Sequence, residues 1–289
     1  MTECEICPRR CKIDRTVLVG YCKEGNALRL SRAALHFWEE PIISGKNGSG
    51  TAFFCGCNLG CVFCQNRDIS SAQNNGTVVS PDRLYEIFGE LIGQGAHNIN
   101  LVTPTHYTDV LAELLARPLS VPVVWNSSGY ENVNSLKTLK NKVQIFLPDL
   151  KFCDNVLSQR LAGAPDYFTV AQKAIAEMLL QQPTVEIKNG IMQKGVMVRH
   201  LVLPGHIENT KRAIDLFASE YKGAALFSLM FQYTPVNGCK PPLDRRVNKS
   251  EYNEVVDYLY RKNIEDGFVQ ELSSAKEEYV PDFDGTGII

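Results

Sequence analysis

Ten cysteines stand at positions 4, 7, 11, 22, 55, 57, 61, 64, 153 and 239 of a 289-residue chain, and eight of them fall in the first 64 residues. They form two groups, Cys4-x2-Cys7-x3-Cys11-x10-Cys22 and Cys57-x3-Cys61-x2-Cys64, with Cys55 just before the second. Three thiolates on a short Gly/Asn-containing loop suit one soft metal centre. The count of three is informative. A structural zinc or a purely electron-carrying cluster takes four protein ligands, whereas three leave one metal position open to a substrate or cofactor. The competing reading is zinc completed by Cys55 or a distant residue. Two residues of strand put Cys55 ~7 Å behind Cys57, an awkward reach for a shared ion. The first group has four thiols, which satisfy either tetrahedral zinc or a closed 4Fe-4S cluster, or serve as redox dithiols.

The remaining composition narrows the class. A chain of this length buries a core without covalent staples. Its cysteine content, 10 in 289, is below the roughly 8–10% of disulfide scaffolds. The N-terminal MTECEICPRR lacks the apolar stretch of a secretory signal, and no apolar run approaches ~18 residues. A cytoplasmic, thiol-rich protein with no membrane span is expected. Thirty Lys+Arg against 32 Asp+Glu give a net charge of −2, which is no overall footprint for nucleic acid, although a local basic groove stays open.

From residue 50 the chain alternates strand-like and helix-like segments. Strands are expected at Gly50–Cys55, Asn98–Thr103, Val121–Asn126, Val143–Leu147, Val196–Leu203 and Ala224–Phe231. These short continuous apolar runs indicate a sheet covered on both faces. Ser80-Pro81 opens a helix whose Leu84, Ile87, Phe88, Leu91 and Ile92 make one apolar stripe, with Gly95 as its stop. Further helices are expected at the DVLAELLA segment, Tyr167–Gln182, Thr210–Tyr221 and Glu251–Lys262, the last capped by Ser250. Thr184–Lys188, the Asn189-Gly190 turn and the fifth strand read as a hairpin. The pattern predicts an α/β fold, a partial (β/α)6 TIM-like barrel over 50–289, preceded by a Cys-rich extension over 1–49. The three-cysteine loop then follows the first strand, on the edge where such barrels place their sites.

The pattern Cys57-x3-Cys61-x-Phe63-Cys64 after a first strand resembles the signature of radical S-adenosylmethionine (SAM) enzymes. The stretch GCNLGCVFCQNRDIS is similar to that of the glycyl-radical-enzyme activases, the pyruvate formate-lyase-activating enzyme in particular. The segments CPRRC, EEPIISG, NINLVTPTHY, NSSGYE, LPDLK and RHLVLPG resemble those of its uncharacterised relatives along nearly the whole chain.

The resemblance implies a 4Fe-4S cluster on Cys57, Cys61 and Cys64. SAM would be chelated at the open iron and cleaved to methionine and a 5′-deoxyadenosyl radical that abstracts hydrogen. It implies anaerobic chemistry and an electron donor such as flavodoxin or ferredoxin. Phe63 and Asn66 match residues lining the adenine side. Thr103 and Thr105, in TPTH, stand where the family usually carries a Gly-Gly-Glu-type segment holding the SAM amino group; this sequence departs there. Asn126 matches an aspartate beside a monovalent cation, Asp149 and Lys151 match SAM contacts, and Arg199 matches an arginine near the SAM carboxylate, a role that suits a guanidinium fork. Each of these also has a plainer structural role, Asp149 as a cap with Lys151 as its partner. His106 and His200, at strand ends, are proton-relay candidates or hydrogen-bonded structural histidines. Cys239, in the TPVNGCKPP loop after the sixth strand, is a candidate hydrogen donor or acceptor, while Cys55 and Cys153 suit buried small hydrophobes.

Three functions compete. One is activation of a glycyl radical enzyme, a second is radical SAM chemistry on a small molecule or RNA, and a third is a zinc-stabilised binding module without catalysis. Activases with a ferredoxin-like insert carry two extra clusters, but Cys4, Cys7, Cys11 and Cys22 allow one additional site, zinc or iron–sulfur.

Overall fold

The computed structural model of the chain describes residues 3–70, 76–275 and 280–289. Its strands are β1 (Arg29–His36), β2 (Ser49–Phe54), β3 (Thr77–Val78), β4 (Ile99–Val102), β5 (Val123–Ser127), β6 (Ile145–Pro148), β7 (Glu186–Lys188), β8 (Ile191–Leu201), β9 (Leu226–Met230) and β10 (Gly267–Val269). One sheet runs in the order β10-β9-β8-β6-β5-β4-β2-β1-β3, with β7 forming a hairpin on β8. From β2 through β10 the pairs are parallel, while β1 and β3 add an antiparallel edge. Among the described residues the two ends of this order do not pair, so the barrel is partial, as expected. All six expected strands are present as β2, β4, β5, β6, β8 and β9. The sequence had placed Arg29–His36 in the extension, yet those residues pair with β2 along the same sheet.

Every residue of β2, β4, β5 and β6 is buried, as both-face coverage requires. Alternation sorts the side chains. Trp125, Phe146, Val196 and Val198 point out into the main core under the helices. Val124, Ile145, Leu147 and Met197 point inward, where Ile43 joins them. This apolar plug fills the barrel floor, and the cavity lined by the strands' carboxyl ends lies above it.

The helix Pro81–Gly93 begins where the Ser80 hydroxyl accepts the Arg83 N–H at 3.1 Å. The last helix corrects an expectation. It spans Lys249–Arg261, and its cap is Asn248 rather than Ser250. Asn248 Oδ1 accepts the Glu251 N–H at 2.9 Å while Glu251 accepts the Asn248 N–H at 3.0 Å. A reciprocal box satisfies two orphan donors where a lone serine satisfies one, so it wins. The helix expected from Thr210 starts at Ile207 and widens after Leu216 into a π turn over Phe217–Tyr221.

The stretch before β1 contains no helix or strand among the described residues. It packs onto the three-cysteine loop through Arg9, whose guanidinium donates to Asn58 O at 2.8 Å, Gly163 O at 2.6 Å and Ala162 O at 3.3 Å. Gly56 makes this approach sterically feasible. At φ +80° its missing Cβ would lie 2.5 Å from Cys22 O. Gly56→Ala is therefore expected to cost roughly 2–4 kcal/mol, from positive-φ strain plus overpacking. A lowered denaturation midpoint at unchanged m-value would show it. After β10 the chain returns to the opposite end of the sheet. There Gly285 N–H donates to Ser31 O at 2.9 Å, Thr286 O accepts the Ala33 N–H at 2.9 Å, and Ile288 is buried.

Candidate active site

The space above the plug is a cavity of about 230 Å³. Cys57, Cys61 and Cys64 line it together with Phe63 and Asn66 of the same loop. Around its floor stand Thr103, Asn126, Asp149, Lys151 and Arg199, each at a strand's carboxyl end. Ten of the site residues expected from sequence thus face one space, three of them the loop thiols.

The loop is held from outside. Gly60 N–H donates to Ala162 O at 3.3 Å and Val62 N–H to Leu161 O at 2.9 Å. Asn58 Nδ2 donates to Tyr130 O at 2.6 Å. Phe63 is buried, its ring meeting the edges of Phe152 and Tyr233 at 6.1 and 6.4 Å. Two donors already address the sulfurs: Leu59 N–H lies 3.3 Å from Cys57 Sγ and Ser70 Oγ 3.4 Å from Cys64 Sγ. Burial, and then the neighbouring Cys64, push the Cys57 thiol up to about 12. Burial pushes Cys61 up too, against the pull of Lys151. Thiols of this kind stay protonated until a metal takes the proton's place. Among the described residues no three His, Cys, Asp or Glu side chains converge as they would around a single ion. By donor count, three thiols fit a cluster with one metal position left free better than a structural zinc, which takes four protein ligands.

On the cavity floor, the Arg199 guanidinium donates to Asp149 Oδ1 at 3.0 Å, Glu39 Oε2 at 3.0 Å and Asn126 Oδ1 at 2.6 Å. Lys151 Nζ contacts Asp149 Oδ2 at 2.5 Å. Burial opposes the charge on Asp149, but Arg199 and then Lys151 outweigh it and hold the carboxyl below its ordinary range. Asp149 is itself placed by Tyr167, whose hydroxyl donates to Asp149 O at 2.6 Å and accepts the Lys151 N–H at 2.8 Å. Glu39 was missed in the sequence. Its Oε1 also accepts from Asn100 at 3.1 Å and Asn126 at 3.0 Å, which makes it the hub of the inner polar layer. Gln65, Ser127 and Ser128 are further polar lining residues that the sequence did not single out.

Four candidates lie elsewhere. Thr105 does not line the cavity; its hydroxyl donates to Glu131 Oε1 at 2.7 Å. His106 Nε2 meets Cys55 O at 2.7 Å, and burial lowers this histidine to about 3. His200 Nδ1 meets Leu150 O at 2.5 Å, its Nε2 meets Thr210 Oγ1 at 3.0 Å, and burial lowers it to about 4. Both are neutral structural histidines in the fold. Cys239 Sγ packs against Val62 O at 3.6 Å and the Tyr233 hydroxyl at 3.8 Å, beside the three-cysteine loop.

Glu131 carries a pH consequence. Burial pushes its carboxyl up to about 7, from an ordinary 4.5, against hydrogen bonds from Thr105, Ser127 and Trp125. The folded state then binds more protons than the unfolded state between these values, so stability falls as pH rises through that window. Up to about 3 kcal/mol is at stake. Glu131→Gln is expected to flatten this slope, as urea unfolding at pH 5 and 7.5 would show.

No family model matches the chain. The uncharacterized protein MJ0674 of Methanocaldococcus jannaschii is 31% identical over 273 residues, covering 91% of this chain and 75% of that protein. This chain belongs to the MJ0674 family. Among solved structures, HydG, a maturase of the [FeFe]-hydrogenase, superposes with a TM-score of 0.53 at 13% identity, over 90% of this chain and 57% of that one. The MJ0674-family chain therefore has the partial-barrel fold of HydG. Streptococcus suis SuiB (TM-score 0.49, 14% identity, 77% of this chain) and a domain of pyruvate-formate lyase-activating enzyme from Bacteroides vulgatus (0.38, 15%, 66% of this chain and 91% of that one) are similar more loosely. This chain spans 48% of the SuiB chain, about half its length.

Proposed function

We propose that this protein is a radical SAM enzyme. The observation that carries the reading is the convergence of Cys57, Cys61 and Cys64 with Asp149, Lys151 and Arg199 on one cavity at the strands' carboxyl ends. Bound there, a 4Fe-4S cluster and SAM would supply a 5′-deoxyadenosyl radical for hydrogen abstraction. The chain's own part is to bind, orient and exclude. The three thiols hold the cluster and leave one iron without a protein ligand. Phe63 offers an apolar face and Asn66 a polar edge for an adenine. Lys151, Ser127 and Ser128 offer donors for a carboxylate, and Asp149 and Glu39 offer acceptors for an ammonium. Arg199 already spends its fork on Asp149, Glu39 and Asn126. Its part is to fix those acceptors and keep positive charge beneath the site.

For the hydrogen donor, the similarity of the cluster loop to activases supports a backbone glycine of a partner enzyme. A second reading, a small molecule or RNA, is favoured by one observation: Val280 and Pro281 of the returning C-terminal segment line the cavity alongside the site residues. The test is anaerobic reconstitution followed by reductant and SAM. Iron and sulfide should load, and 5′-deoxyadenosine should accumulate; a loaded protein that makes none contradicts the proposal. A glycyl radical seen by electron paramagnetic resonance on mixing with a glycyl radical enzyme would select the first donor. Silence with each such enzyme of the source organism would select the second.

A further inference from the structure

The four N-terminal cysteines are unused by the site described above, yet they are gathered. Cys7 and Cys22 are buried, Cys4 and Cys11 half-buried. A side chain at Gly20 would press on two sulfurs at once, since its Cβ would lie 3.4 Å from Cys22 Sγ and 3.5 Å from Cys11 Sγ. The backbone wraps this group tightly. Lys12 N–H donates to Cys4 O at 3.1 Å, Arg10 N–H to Cys7 O at 3.1 Å, and Tyr21 N–H to Cys11 Sγ at 3.3 Å. Arg10, Lys12 and Lys23 take positive φ of 43°, 52° and 68°, a cost of roughly 1 kcal/mol or more each that free thiols would not require.

The group abuts the catalytic loop. Cys57 N–H donates to Cys22 O at 3.2 Å, and the absence of a side chain at Gly56 lets Cys22 O come this close. A continuous covalent and hydrogen-bonded path therefore runs from a ligand of one thiol group to a ligand of the other.

We propose that Cys4, Cys7, Cys11 and Cys22 hold a closed iron–sulfur cluster that delivers electrons to the centre on the Cys57–Cys64 loop. This rests on the radical SAM reading for the acceptor, but not for the cluster itself. Four thiolates leave no open iron, so the site carries electrons and binds no substrate. In each event the closed cluster takes one electron from a low-potential donor of the flavodoxin or ferredoxin class. It then passes that electron to the loop cluster, and no atom changes place. A single tetrahedral zinc on the same four thiolates is the alternative that the measurements below distinguish.

Two measurements test this independently of SAM cleavage. In the triple variant Cys57→Ala, Cys61→Ala, Cys64→Ala, anaerobic reconstitution should leave about four irons per chain, with a reduced-cluster paramagnetic signal. One zinc with no iron, or no metal, overturns the proposal. Should that variant fold poorly, the reconstituted wild type answers the same question: about eight irons support it, and about four irons plus one zinc overturn it. For the electron path, the fully reduced wild-type spectrum should be broadened relative to the sum of the triple variant and Cys11→Ser. A simple sum overturns delivery between the two centres. If 5′-deoxyadenosine never forms while both clusters load, the radical SAM reading fails and the second cluster stands.

Discussion

Cys61→Ala is expected to lose about four irons per chain and to make 5′-deoxyadenosine only at the level of a control without enzyme. The expected fall exceeds the ~10–100-fold typical when a group that merely supports a ligand is removed. The reason lies in the count. With three thiols, the loop has no spare ligand to take up a freed iron. Cys55 is fully buried, and the cavity wall does not include it. Cys61 is half-buried and packs against the main core, so the alanine leaves little void and folding should persist. Cys239→Ala is the matching control. Its sulfur touches the loop at Val62 O, so its cluster content and SAM cleavage should stay close to wild type. Full SAM cleavage by Cys61→Ala would refute the ligand assignment, and loss of SAM cleavage in Cys239→Ala would return that thiol to the reaction.

Arg199→Leu is expected to destabilise the fold by about 3–5 kcal/mol at pH 7. Both Arg199 and its partners are withdrawn from water, with side-chain exposures of 11% for Arg199 and Glu39 and 14% for Asp149. Leucine leaves Glu39 without a cation and Asp149 with Lys151 alone over the apolar plug. The pH dependence separates this from lost packing. In the wild type, Asp149 is held below its ordinary range, so its stabilisation is present at neutral pH and lost as pH falls through the folded value. In Arg199→Leu, Glu39 loses its cation and Asp149 keeps only Lys151, so both carboxyls protonate more readily and stability should recover on acidification. The gap between the two proteins should therefore narrow from pH 7 to 4.5 in guanidinium unfolding. A gap that is constant with pH, or below about 1 kcal/mol at pH 7, would mean that the charge network is solvated.

The barrel strands were legible because a buried parallel strand is a short, continuous apolar run whatever follows it. β10 was not, for Gly267–Val269 is three residues long and its pairing with β9 is purely tertiary. β1 escaped because RLSRAALH mixes charge with apolar positions, as an edge strand does. The loop thiols were legible through type and spacing, whereas Asp149, Lys151 and Arg199 came from the resemblance to radical SAM enzymes, supported by their place at strand ends. His200 was avoidable: adjacent strand residues face opposite ways, so with Arg199 inward His200 had to point to the helices. Glu39 had a signal of another kind, an acidic pair before Pro41 in the EEPIISG segment. No periodicity says that the connection between β1 and β2 dips into a barrel. The contact of Cys22 with Cys57 likewise depends on how the chain before β1 packs, which spacing alone does not carry.

The central claim is that the three-thiol loop leaves one iron open for SAM. Hyperfine spectroscopy of the reduced, reconstituted protein with SAM labelled by 15N at its amino group and 17O at its carboxylate tests it most directly. Couplings from both labels to the cluster spin are expected, and are lost when unlabelled SAM replaces them. A fully loaded cluster that shows neither coupling, with SAM bound, would contradict it.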